Sequence, residues 1–158
     1  MLFKNRILGF FLAFFAVLLL AGPASAAHST RLTTSESSVL RAMNSVRASH
    51  HLAPLRLDYR LERVARAHSA DMLRNQYFAH GAFFARVSGS GAAGPVFGEN
   101  LAYGPTSATW VVNAWLASPP HRANLLRPGF RRVGVGSVVG TFQGSAGTMI
   151  VTADFAGT

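Results

Sequence analysis

Three residues far apart in the chain carry side chains that could do chemistry together. They are His80 at the end of YFAH, Glu99 within FGEN, and His121 after the double proline of WLASPPHRANLL (Trp115 to Leu126). Two neutral imidazoles and a carboxylate suit a divalent transition metal, zinc first, with one position left open for water or a ligand. Glu99 can sit on the ion or hold one imidazole in its ligating tautomer from behind. A zinc-bound water, its pKa brought down to about 7, can attack an ester, amide or phosphoester. Without metal, a carboxylate beside a histidine favours imidazolium, and the same face then binds an anionic group. The plainest alternative is that the three side chains only tie loops together by hydrogen bonds.

Other chemistry is weaker. Ser118 lies near His121 but lacks an orienting acid and the strand-turn-helix setting of a nucleophile. His50 and His51 are neighbours in an irregular connection with no spaced third ligand. His68 falls on the apolar stripe of a helix, the place of a core histidine bonded to backbone.

The elements that must position these residues can be read in order. Thr33-Thr34-Ser35-Glu36 is a capping box, and Val39, Leu40, Met43 and Val46 follow at helical spacing, so a helix is expected from about Thr34 to Ser49. Asn44 and Arg47 on or beside its stripe call for hydrogen-bond partners. Asp58 caps a second helix running to about Gln76, with Gly81 supplying the stop. Ala82 to Val87 makes a short turn of helix, Ser88 to Pro95 a loop, and Val96 to Ala102 an extended segment carrying Glu99. Ser107 caps a third helix, Ala108 to Ala117. Pro119-Pro120 then forces a corner that presents His121, and Arg122 to Leu126 forms one further turn. Arg132 to Val139 and Thr148 to Phe155 read as strands with TFQGSAG as a Gly-rich hairpin loop. Helices first and strands last give an α+β arrangement.

The first 26 residues have the layout of a signal peptide: Lys4 and Arg6, an apolar run from Ile7 to Leu20, and Ala24-Ser25-Ala26 before the cut. That run is shorter than the roughly 20 residues a membrane span needs. Residues 27–38 form a leader and the start of the first helix, and 39–156 the domain. The expected location is the periplasm, the cell envelope or the extracellular space. No cysteine is present, which excludes disulfides and thiolate metal sites. Without Lys4 and Arg6, 13 basic side chains, all arginine, face 6 acidic ones, a net charge of +7. Such a balance favours anionic envelope polymers. The arginines are spread along helices without a basic-aromatic strip, which argues against a specific nucleic-acid site.

MNSVR, PLRLDYRLERVARAHSADM, YFAH, GEN, WLASPPHRANLL, and GVG followed by a last strand ending in DF together resemble the CAP superfamily, the SCP or pathogenesis-related-1 domain, in its cysteine-free bacterial form. The resemblance spans about Leu40 to Phe155. It implies a three-layer α-β-α sandwich with a central, mainly antiparallel sheet and a surface cleft holding two histidines and two acids. Carried over, His80 and His121 match the histidines and Glu99 one acid, whereas Ser118 stands where the second acid is expected. Ser118 and Asn100 then line the cleft, with His80, His121 and Glu99 as candidate metal ligands and Glu99 the only catalytic candidate. The expected role is binding, as a monomer, of a small or lipid-like ligand or an envelope component. The alternative is a metal-dependent hydrolase using the same residues.

Overall fold

Thr33 and Glu36 start the first helix by exchanging bonds: the Glu36 amide donates to the Thr33 hydroxyl, and the Thr33 amide to Glu36 Oε2 at 2.7 Å. This is seen in a computed structural model that describes residues 31–158; the expected signal peptide and its cut at Ala26 lie outside those residues. Helix α1 spans Thr34–Ser49, and a two-residue strand β1, Arg56–Leu57, lies between the expected connection and the Asp58 cap. Helix α2 runs Tyr59–Asn75 from that cap. Its stop is Gln76, in the left-handed conformation at φ 55°, and not the expected Gly81 further on. The Gln76 side chain stabilises that turn, donating to the carbonyls of Leu73 and Thr141.

Helix α3 (Phe83–Ser88), strand β2 (Val96–Gly104), helix α4 (Ala108–Ala117) and helix α5 (Pro119–Leu125) follow the expected order. The double proline does not interrupt α5 but opens it. Pro119 and Pro120 occupy the first helical turn, where a missing N–H costs nothing. Strands β3 (Phe130–Phe142) and β4 (Ser145–Gly157) are longer than their valine-rich centres suggest. Gln143 and Gly144 alone separate them, both at positive φ (47° and 82°), as tight hairpin turns favour.

The sheet order is β1-β3-β4-β2, with β1 parallel to β3 and the other pairs antiparallel. Odd-numbered β4 residues (Met149, Val151, Ala153, Phe155) join Val39, Met43, Val112 and Trp115 in one core beneath α1 and α4. Even-numbered ones face α2: Ile150 packs with Met72, and Ala156 with Leu61 and Val87. Helices thus cover both faces, giving the α-β-α sandwich. The GVG motif has a packing reason on the α2 side. A Cβ on Gly134 would stand 2.0 Å from the Leu61 carbonyl carbon, and one on Gly136 2.2 Å from the Arg66 nitrogen, so α2 rests directly on the β3 backbone.

Candidate functional site

Strand β2 is one edge of the sheet, and the candidate residues gather around it. Glu99, Leu101 and Tyr103 alternate onto the α2 face, while Asn100 and Ala102 turn towards α4 and α5. The edge is covered by side chains. Asn124 of α5 donates to the Glu99 carbonyl at 3.2 Å, and the Trp115 indole donates to the Leu101 carbonyl at 2.9 Å.

Glu99 is 4% exposed and its carboxylate is fully engaged. Oε1 lies 2.7 Å from His80 Nδ1, and Oε2 takes the Arg86 guanidinium from α3. A carboxylate only accepts, so a His80 proton is assigned to Nδ1, and Nε2 is not engaged by Glu99. The His80 side chain remains 54% exposed. His68, on α2, stands farther off, 3.9 Å from Glu99 Oε2. Its Nε2 bonds instead to backbone, 3.0 Å from the Ala79 carbonyl. It is therefore the core histidine expected, and it also braces the segment leading to His80. Burial and then the nearby Arg86 charge push its pKa down.

Asp154 faces Glu99 directly across the β2–β4 pair. It is completely buried, and neither of its oxygens receives a hydrogen bond from the described residues. Burial, followed by the Glu99 charge, raises its pKa well above the ordinary carboxyl value. Protonated, Asp154 turns from an acceptor without donors into a donor for the Glu99 carboxylate. The second acid of the cluster thus comes from β4, not from the position of Ser118.

His121 approaches from the opposite layer, in the first turn of α5, where it is half-buried. Its carbonyl accepts the Asn100 amide at 2.9 Å, and Asn124 donates to Asn100 Oδ1 at 3.0 Å. Burial lowers the His121 pKa first, and neighbouring His80 lowers it further whenever that ring is protonated. Asn100, expected to line the cleft, has no exposed surface and works from behind, fixing the start of α5. Ser118 is half-buried at the junction, ending α4 and preceding α5, with no side-chain capping bond; its carbonyl accepts the Arg122 amide.

His80 and Glu99 are therefore in contact, and His121 is an electrostatic neighbour of His80. Among the described residues, no three His, Asp or Glu side chains converge to hold a metal ion. Both Glu99 oxygens are engaged by protein neighbours, Oε1 by His80 and Oε2 by Arg86. Sequence reasoning missed Arg86, Asp154 and Asn124. Asn124, three residues after His121, was within reach of helical spacing. Asp154 becomes visible only once the strand register is known.

An aromatic surface adjoins the polar group. Phe78, two residues before His80, is 36% exposed, and Tyr103, on the Glu99 face of β2, is 44% exposed. Their ring centroids lie 4.7 Å apart, edge to face, and Tyr103 also meets Phe142 at 5.2 Å.

The sequence profile of the cysteine-rich secretory protein (CAP) family matches residues 40–155. The chain is 38% identical over 108 residues to the uncharacterized protein YkwD of Bacillus subtilis, covering 65% of this chain and 42% of that protein. It is 37% identical over 109 residues to the uncharacterized membrane protein YlbC of the same organism, covering 66% and 32%. The match thus spans less than half the length of either relative. Among solved structures, an extracellular SCP-domain protein from Bacillus anthracis superposes with a TM-score of 0.67 at 27% identity, over 81% of this chain and 45% of that one. An outer surface protein from Borrelia burgdorferi gives a TM-score of 0.68 at 22% identity, over 78% and 93%, a likeness of fold.

Proposed function

Because the chain belongs to the cysteine-rich secretory protein (CAP) family, we propose that it is an exported binding protein whose His80–His121 face takes a small amphiphilic ligand. The polar head meets the two imidazoles and the apolar part lies on Phe78 and Tyr103. The observation that carries this reading is the state of Glu99: both oxygens are spent inside the protein, on His80 and Arg86. The outward-facing group is the His80 imidazole, 54% exposed and with Nε2 not engaged by Glu99, suited to contacting a ligand. A general base must reach the proton it takes, and Glu99 reaches only its own partners. The hydrolase reading therefore has the weaker support.

A divalent ion at this face, zinc foremost, is held in this reading by the imidazoles of His80 and His121. Glu99 then fixes the His80 tautomer from behind, as carboxylates commonly do beside zinc-bound histidines. The ion would supply one more anchoring point for an anionic head group. Export is supported by the extracellular and outer-surface relatives of the same fold. Among the described residues, no helix is long and apolar enough to cross a membrane.

Calorimetric titration with dodecanoate, an amphiphile with an anionic head, tests the apolar half. Saturable binding is expected, with Phe78→Ser and Tyr103→Ser each raising Kd at least about fivefold. Absence of binding, or binding indifferent to both changes, overturns the proposal. So does ester hydrolysis by the wild type that Glu99→Gln abolishes.

A further inference from the structure

A second concave site lies where β1 joins the start of β3, beside the end of β4. It is an open groove of about 540 Å³ lined by Arg56, Arg131 and Arg132 together with Gly129, Gly157 and Thr158. It shares no residue with the His80–Glu99 cluster. We propose that this arginine pocket binds a phosphate group.

Three observations carry the proposal. First, Arg56 and Arg132 are direct partners in the parallel β1–β3 register, so two guanidinium-bearing residues stand side by side on the sheet. Like charges in such a position repel, and an edge strand offers many less costly residues. Second, the β3–β4 ladder slips between Phe130 and Arg132, leaving Arg131 as the extra residue of a β-bulge. Consecutive strand residues ordinarily point to opposite faces. A bulge re-aims one of them, and here both arginines line the same pocket. Third, the positive charge is poorly balanced by side chains. The carboxylate of Asp58 stands 3.9 Å from Arg132 Nε. Arg132 otherwise donates to the Ala93 carbonyl and Arg131 to the Pro128 carbonyl, neither of which is charged. The Arg56 side chain is exposed and makes no hydrogen bond or ion pair among the described residues. Beneath them the buried Arg47 has its pKa pushed down, first by burial and then by the charge of Arg131, a sign of local positive excess.

Guanidinium groups bind tetrahedral oxyanions through paired N–H donors, which lysine-type point charges cannot match. Charge alone would attract any anion to any face of so basic a chain, so the pocket must be distinguished from the general field.

The experiment is titration of the protein with inorganic phosphate and with glycerol 3-phosphate, followed by calorimetry and by the rise in Tm. Saturable binding of both is expected, with Arg56→Gln raising Kd at least about fivefold and shrinking the Tm rise. Arg56 has no structural partner to lose, so this variant should fold; Arg131→Gln provides a second reading of the same pocket. Arg74→Gln removes an equal charge from an exposed helix position outside the pocket and should leave Kd unchanged. The proposal is overturned if phosphate does not bind saturably, or if Arg74→Gln weakens binding as much as Arg56→Gln. Binding of inorganic phosphate but not of glycerol 3-phosphate would limit the site to the free ion and overturn a role in recognising phosphate esters.

Discussion

Glu99 and Asp154 sit opposite one another on β2 and β4, both buried, and only Glu99 has cationic and imidazole partners. Glu99 is tied to Arg86 and His80, while burial and then the Glu99 charge favour the protonated form of Asp154. Their surroundings make the pair unequal: Glu99 faces the positive groups, and Asp154 faces Glu99.

This inequality has a definite pH signature. Asp154 holds its proton in the folded protein at pH values where an unfolded aspartate has lost it. Above the ordinary value of 3.8 the native state thus binds more protons, and stability from this group falls as pH rises through the window up to its raised value. Asparagine cannot titrate yet still donates to Glu99. Asp154→Asn should therefore match the wild type near pH 3.5 and become progressively more stable than it towards pH 8, measured by urea unfolding at each pH. A constant difference across that range contradicts the assignment.

Arg47 fixes the loop that follows the His121 helix. Its guanidinium donates to the carbonyls of Ala53, Leu125, Arg127 and Phe130 at 2.8–3.1 Å, and it is wholly buried. Buried acceptors left without donors cost about 1–3 kcal/mol each. Arg47→Met should lower unfolding stability by on the order of 3–5 kcal/mol, because one substitution leaves four acceptors without their donor. Denaturant titration with an unchanged m-value checks this.

Zinc provides a test of which side chains face outward. Calorimetry should give a heat with the wild type that is lost in His80→Ala and in His121→Ala. Glu99→Gln should weaken zinc about 10–100-fold without abolishing it, the usual effect of removing a partner behind a ligand. Equal loss from all three changes would instead place Glu99 on the ion.

Much of this architecture was legible in the sequence because its signals are local. The Thr33–Glu36 box, the Asp58 and Ser107 caps and the apolar spacing of α1 and α2 each act within a few residues, and those helices stand where they were expected. The strand β1 was missed because two residues cannot show a period, and its pairing with β3 is a long-range event. Gln76 ended α2 in place of Gly81 because a polar side chain there finds the Thr141 carbonyl, a partner 65 positions away. The expected seven-residue hairpin loop tightens to two because Thr141, Phe142 and Ser145 to Gly147 lack the alternation that marks a strand, yet the ladder between β3 and β4 carries them.

The site divides in the same way. His80, Glu99 and His121 were identifiable as residue types set in recognisable surroundings. The features that decide what they do came from pairing between distant segments: Arg86 taking Glu99, Asp154 facing it across the sheet, and Asn100 turned inward to hold the His121 carbonyl. Ser118 marked a missing acid at its own position, but nothing local indicates that β4 brings another.

The most direct test of the central claim is ring-proton NMR of His80 and His121 during titration with dodecanoate. Both rings should shift together and saturate, His80→Ala should abolish the saturable shift of His121, and Glu99→Gln should preserve saturation at reduced affinity. Rings that do not move while dodecanoate binds elsewhere, or a saturable His121 shift that survives His80→Ala unchanged, would contradict it.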